Sequence, residues 1–159
     1  MPWSLVRYAS VLCLVVSFQS PSPASEAGDE ELLRSLHEKV LQAHRERDVE
    51  LLLADESADY VVANRGEVTR PLLSERRDRL GAYLRATTFT EYRDLIEPMV
   101  TTSADGTLGW VVAQVQARGT QVDASGDQQP LAFTCAWIEL YAKRGGRWYR
   151  IGNVSNFKP

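Results

Sequence analysis

The hydrophobic period of this chain changes once, near Thr87, from helical to strand-like, and that switch limits the fold more than any other feature. Ahead of it, Glu30–Arg47 carries Leu32, Leu33, Leu36, Val40 and Leu41, with His44 in line, at a spacing that keeps one helical face apolar. Asp48 is placed to cap a short second helix, Val49–Ala54. Asp59–Asn64 reads as a strand, because Tyr60, Val61 and Val62 are good strand formers, and Gly66 ends it. Pro71 suits the first turn of a third helix running to about Arg85, with Leu72, Leu73, Leu80, Tyr83 and Leu84 as its stripe. Beyond the switch come the long strands Tyr92–Thr102 (bent at Pro98), Leu108–Arg118, Leu131–Lys143 and Trp148–Phe157. Asp105-Gly106 and Gly145-Gly146 supply tight turns, and Thr120–Gln129 reads as a polar loop. Helices grouped before a meander make an α+β layer fold. The expected shape is a curved antiparallel sheet wrapped around the N-terminal helices as a cone, whose mouth can hold a small molecule.

The 159 residues fit a leader and one domain. Residues 1–24 have the three parts of a secretory signal: Arg7, the largely apolar run Tyr8–Phe18, and the small-residue segment Ser22-Pro23-Ala24. The apolar run is short of the roughly 20 residues a membrane span needs. Cleavage is expected after Ala24, with Ala27 as the alternative; an uncleaved N-terminal anchor is the competing reading. Cys13 lacks the small preceding residue that lipid attachment prefers. Removing the leader takes Arg7 and no acid, so the formal net charge passes from −3 to −4. The domain at 25–159 is then secreted or periplasmic, with no stable membrane span. It keeps Cys135 without a partner and is held by its core alone.

The acidic balance argues against a nucleic-acid partner. The basic run Arg76, Arg77, Arg79 and Arg85 is interrupted by Glu75 and Asp78 and reads as a solvated helix face. His37 and His44 are the only histidines and have no acid cluster beside them in the chain, so no metal is expected. Without a Gly-rich phosphate loop, no cofactor is implied either. Asn153-Val154-Ser155 satisfies the glycosylation sequon, in a strand interior that is a poor acceptor.

Three sets of residues stand out together: Ala43-His44-Arg45-Glu46-Arg47-Asp48 leading into Leu51-Leu52-Leu53-Ala54-Asp55; Asp105-Gly106 before Trp110; and Trp137-Ile138-Glu139-Leu140-Tyr141 before Gly146-Arg147-Trp148. In these the chain resembles the nuclear transport factor 2-like superfamily and its SnoaL-like branch. The resemblance covers the chain beyond the leader and implies the cone. It implies no single activity, since such folds host isomerases, dehydratases, cyclases, epoxide hydrolases and non-catalytic domains. Against the ketosteroid isomerases, Val62-Ala63-Asn64 lacks the carboxylate base and Val40 falls near the place of the helix tyrosine, while Glu139 fills the place of the second acid. The Asp-Arg-Asp set of the epoxide hydrolases has no counterpart that can be assigned.

Strand alternation groups Phe133, Cys135, Trp137, Glu139 and Tyr141 on one face and Ala132, Thr134, Ala136, Ile138 and Leu140 on the other. The resemblance turns the Glu139 face into the cone and leaves the apolar face for a homodimer partner. On the last strand Tyr149, Ile151, Asn153 and Ser155 are expected to face inward. Between Trp137 and Tyr141, a desolvated Glu139 would have a raised pKa and suit proton transfer; the competing reading is a solvent-facing carboxylate paired with Lys or Arg. Trp110 opens an alternating set with Val112, Gln114 and Gln116, in which Gln114 either lines the pocket or sits at an exposed edge. Tyr60 lies at the mouth or in the core, and Cys135 reads better as a buried thiol than as a nucleophile. The candidate ligand-binding residues are therefore Tyr60, Trp110, Gln114, Trp137, Glu139, Tyr141, Asn153 and Ser155, with Glu139 the one catalytic candidate. Three functions compete: a domain binding a small apolar ligand, an acid–base enzyme using Glu139, and a self-associating module.

Overall fold

The computed structural model describes residues 23–158. The leader expected over 1–24 lies outside them, save for Pro23 and Ala24, which open helix α1 (Pro23–Glu46). On α1 the buried line is Leu33, His37, Val40 and Leu41, and Leu32 is exposed. The inward face is thus turned slightly from the stripe of leucines, enough to bring a histidine into it. Arg47, in the left-handed region at φ 60, stops the helix. Asp48 then caps α2 (Val49–Leu53), its carboxylate accepting from the Leu51 N–H at 2.9 Å.

Strand β1 (Glu56–Asn64) forms a hairpin with the short β2 (Glu67–Thr69), which the sequence does not announce. Helix α3 (Leu73–Ala86) leads into β3 (Thr87–Asp94), β4 (Met99–Thr102), β5 (Leu108–Val122), β6 (Gln128–Arg144) and β7 (Arg147–Lys158). The strand expected over Tyr92–Thr102 is two strands, β3 and β4, both paired with β5. Leu95–Pro98 leaves the ladder between them. Pro98 has no N–H to give, and its carbonyl accepts from Arg34 of α1 at 3.0 Å. Half of the loop expected over Thr120–Gln129 is strand, because β5 and β6 stay paired out to Val122 and Gln128. The Asp123 carboxylate closes the remaining turn by accepting from the N–H groups of Ser125 and Asp127.

The seven-stranded sheet runs in the order β2-β1-β7-β6-β5-β3, with β4 also on β5. It is mixed where an antiparallel sheet was expected: β1 and β7 are parallel neighbours. No hairpin joins these two strands, so no turn dictates their relative direction. The register between β6 and β7 slips by one residue at Leu140/Tyr141, pairing Leu140 with Gly152 and Tyr141 with Arg150. Ile151 is left as the extra residue. Gly152 is required there because a Cβ would stand 2.7 Å from the Val61 carbonyl oxygen of β1.

Helix α1 lies along the concave face. Leu33 packs with Val100, Val111, Tyr141 and Trp148 at one end, Leu41 with Tyr92, Ala113, Val115 and Ala117 further along, and Val40 and Ala43 with Leu52 and Leu84 beneath the other helices. The convex face carries Ala132, Ala136, Ile138 and Leu140, as the alternation of β6 predicts. Register partners extend that face into a row, Met99–Val112–Ile138–Val154, crossing four strands.

Close packing of β3 on β5 depends on Gly119, where a Cβ would overlap the Thr88 carbonyl oxygen and approach the Phe89 Cα to 3.0 Å. Gly119→Ala is therefore expected to cost about 2 kcal/mol or more in chemical denaturation. Gly28→Ala, exposed on α1 with nothing within 4 Å of the added carbon, is expected to be neutral or to stabilise by under about 1 kcal/mol. Equal effects from the two would contradict this packing.

Candidate functional site

The open end of the cone is a cavity of about 450 Å3, bounded by β1, β2, α3, β6 and β7 with Val40 and His44 of α1. Its floor is charged. Glu139 projects inward from β6 and is 2% exposed. Its carboxylate accepts from His37 Nδ1 at 3.2 Å and Trp137 Nε1 at 3.0 Å on one oxygen, and from the Tyr141 hydroxyl at 2.6 Å on the other. The second nitrogen of His37, Nε2, donates to Asp94 of β3 at 3.1 Å. Carboxylates flank both ring nitrogens, so the imidazole carries both protons. Burial pulls the His37 pKa down, but the bonds and charges of Asp94 and Glu139 outweigh it and push the value up to about 9.

The expected rise in the Glu139 pKa is overturned. Burial does raise it, but the His37 bond and charge, the Arg150 charge and the Tyr141 hydroxyl together hold the carboxyl below its usual range. Glu139 is an ionised, three-times-bonded acceptor rather than an unpaired acid. It is not solvent-facing: it points inward between Trp137 and Tyr141, as one of the two sequence readings has it, but with its pKa lowered rather than raised.

A second buried cluster adjoins the first. Glu56 of β1 accepts from Arg76 Nε at 2.7 Å and from Arg150 Nη2 at 2.8 Å. Nη2 of Arg150 also donates to the Leu52 carbonyl at 2.7 Å. Tyr60 lies beside both cations, its ring centre 4.0 Å from the Arg76 guanidinium carbon and 5.8 Å from that of Arg150. Arg76 thus leaves the solvated face assigned to it and is buried, while Arg77, Arg79 and Arg85 stay exposed. His44 stacks on Tyr92 at 4.3 Å and gives its Nδ1 proton to the Val40 carbonyl at 2.7 Å. Burial depresses its pKa to about 4, so at neutral pH it is an uncharged ring with Nε2 as an acceptor.

Of the candidate residues, Tyr60, Trp137, Glu139, Asn153 and Ser155 line the cavity. Tyr141 is buried behind the floor and reaches it only through Glu139. Trp110 and Gln114 are corrections: they pair with Leu140 and Ala136 and share the convex face, while Val111, Ala113 and Val115 point in. Tyr149 and Ile151 are also corrected. The slip at Ile151 puts Trp148 and Arg150 inside below it, while Asn153 and Ser155 face the cavity above it. Cys135 lines the cavity with burial raising its thiol to about 11, which makes it unreactive at neutral pH. Sequence reasoning missed His37, Asp94, Glu56, Arg76 and Arg150. The only signal for the first was its position four residues after Leu33 and three before Val40.

Removing one partner of a buried ion pair strands the other. Glu139→Gln is expected to cost about 3 kcal/mol near neutral pH, measured by urea unfolding. His37 has a folded pKa above its unfolded one, so its contribution is complete below about pH 6.5 and lost as pH rises through about 9. Glu139 has a lowered folded pKa, so its contribution is present above about pH 4.5 and lost as pH falls. Unfolding free energy should peak between those limits and fall towards pH 9, with a shallower alkaline fall in Glu139→Gln. An unchanged alkaline limb in the variant would break the pairing.

No family model matches the chain, and no curated protein matches it. Solved structures do. A ketosteroid isomerase-like protein from Erwinia carotovora atroseptica SCRI1043 aligns with TM-score 0.62 at 16% identity, covering 82% of this chain and 98% of that one. An NTF2-like protein of unknown function from Pseudomonas putida KT2440 aligns with TM-score 0.62 at 17% identity over 82% and 87%. An uncharacterized protein with a cystatin-like fold from Caulobacter vibrioides aligns with TM-score 0.64 at 16% identity over 83% and 91%. The element order, the curved sheet around α1 and these structures agree that the chain has the nuclear transport factor 2-like fold.

Proposed function

We propose that this protein is an exported binding domain for a small molecule, with the cone cavity as its ligand site. The observation that carries the reading is that the cavity stays open at about 450 Å3, within the range of roughly 300–1,000 Å3 usual for ligand pockets. Its wall mixes the apolar side chains of Val40, Leu52, Val62 and Leu80 with the phenols of Tyr60, Tyr83 and Tyr92. Neither Trp137 nor Tyr141 fills it. The acid–base alternative through Glu139 is disfavoured: an ionised carboxylate holding three hydrogen bonds has little basicity and no proton to give. The signal-like segment at 1–24 supports the export part of this reading.

Thermal-shift screening with small aromatic and aliphatic compounds tests the site. A ligand at about one hundred times its Kd should stabilise the protein by about 2.7 kcal/mol, a shift of several degrees in Tm. Val62→Trp, which enlarges a side chain of the cavity wall, should abolish the shift. A panel that leaves the wild type unmoved, or a shift that survives Val62→Trp, would reject the cavity as the site.

The convex sheet face supports a second reading, that the protein works as a homodimer. Met99 and Val154 are 59% and 46% exposed at the ends of the apolar row, and Trp110 and Leu140 are exposed beside it. Contiguous apolar patches of this kind are unusual on monomers. Light scattering at micromolar concentration should give twice the chain mass, and Leu140→Asp should halve it. A wild-type monomer would refute the dimer.

A further inference from the structure

We propose that the cavity is made for an organic monocarboxylate, whose anionic group docks beside the Arg150 guanidinium. This deepens the ligand-site reading and rests on it. Arg150 is 6% exposed and lines the cavity. Both bonds it makes to the protein come from Nη2, to Leu52 and Glu56. Among the described residues its Nε is a buried donor with no partner. A buried charged N–H left unpaired is costly, and native folds seldom keep one that nothing ever fills. Nε itself is sealed from the cavity, so an anion arriving there would meet the exposed edge of the guanidinium and offset the underbonded charge from beside it.

The charge balance indicates the kind of acceptor. Four arginines in the lining (Arg65, Arg76, Arg79 and Arg150) face Glu67 and Glu139. Glu56 behind the wall offsets one more through its bonds to Arg76 and Arg150, which leaves one positive charge. His37 and Asp94 cancel each other. A surplus of one suits a monoanion, and ionised Glu139 would repel a second negative charge. Guanidinium is the group best suited to a carboxylate. The rest of the wall suits an uncharged carbon body: Val62 and Leu80 for its apolar part, and the Tyr83 and Tyr92 hydroxyls, which no protein group bonds among the described residues, for a hydroxyl or carbonyl.

The test is calorimetric titration of the folded protein with benzoate, phenylacetate, indole-3-acetate and octanoate, each against its primary amide. NMR observation of the Arg150 Nε–H accompanies it. At least one carboxylate should bind about tenfold or more tighter than its amide and shift the Nε–H resonance. Arg150→Lys should weaken that carboxylate about tenfold, and Arg150→Met should erase its preference over the amide. Should Arg150→Met fail to fold, the wild-type resonance and the acid–amide comparison still decide. Amides binding as tightly as their acids would overturn the carboxylate assignment while leaving the cavity as a ligand site. Inorganic phosphate competing as well as the best carboxylate would also overturn it. Binding by neither series would sink both readings.

Discussion

Glu139 can be buried in this protein only because His37 is buried with it. The imidazolium between Glu139 and Asp94 joins α1 to β6 and β3 at the centre of the cone, where an α+β domain would ordinarily place leucine and valine. Other polar clamps hold the same helix. Asp29 takes Lys143 Nζ at 2.7 Å and Trp148 Nε1 at 3.0 Å, and Lys39 binds Asp55. The helix is therefore set on the sheet by directional bonds as well as by Leu33 and Leu41. Each removed partner leaves a charge in a place of low dielectric, so the arrangement tolerates little sliding.

That choice of core explains the cavity. Apolar side chains collapse onto one another, but groups already committed to fixed partners cannot move to fill space. Glu139 is held from three sides, Arg76 and Arg150 are held by Glu56, and Tyr60 is kept beside the two guanidinium groups. The floor is rigid and polar, the upper wall is aromatic and aliphatic, and the space between them stays open. The same rigidity removes Glu139 from proton chemistry. A catalytic acid needs a proton held loosely, and here three neighbouring groups favour the charged form.

Whatever depends on one segment at a time was legible in the sequence. The switch of period near Thr87 yields the order of elements, and alternation within β6 correctly groups Cys135, Trp137 and Glu139. What depends on pairing was not legible. Trp110 and Gln114 alternate properly along β5, but their face is decided by register with β6, where they meet Leu140 and Ala136. The slip at Ile151 reverses the inward set of β7 halfway along, and no composition cue marks it. His37 finds its partners 57 and 102 residues away, so its charge has no local trace. Arg76 looks like the other arginines of its helix until β1 brings Glu56 beneath it. In each case the residue that the sequence misplaces is one whose partner arrives from a distant strand.

The protonation state of His37 is the quantity on which this account turns. Long-range 1H–15N NMR of the imidazole, followed from about pH 6 to 10, reads it directly. The account predicts both ring nitrogens protonated and hydrogen-bonded at about pH 7.5, with titration only near pH 9. A neutral ring at about pH 7.5, titrating at or below about 6.5, would mean that Glu139 and Asp94 are not held by an imidazolium, and the ionic floor of the cone would have to be abandoned.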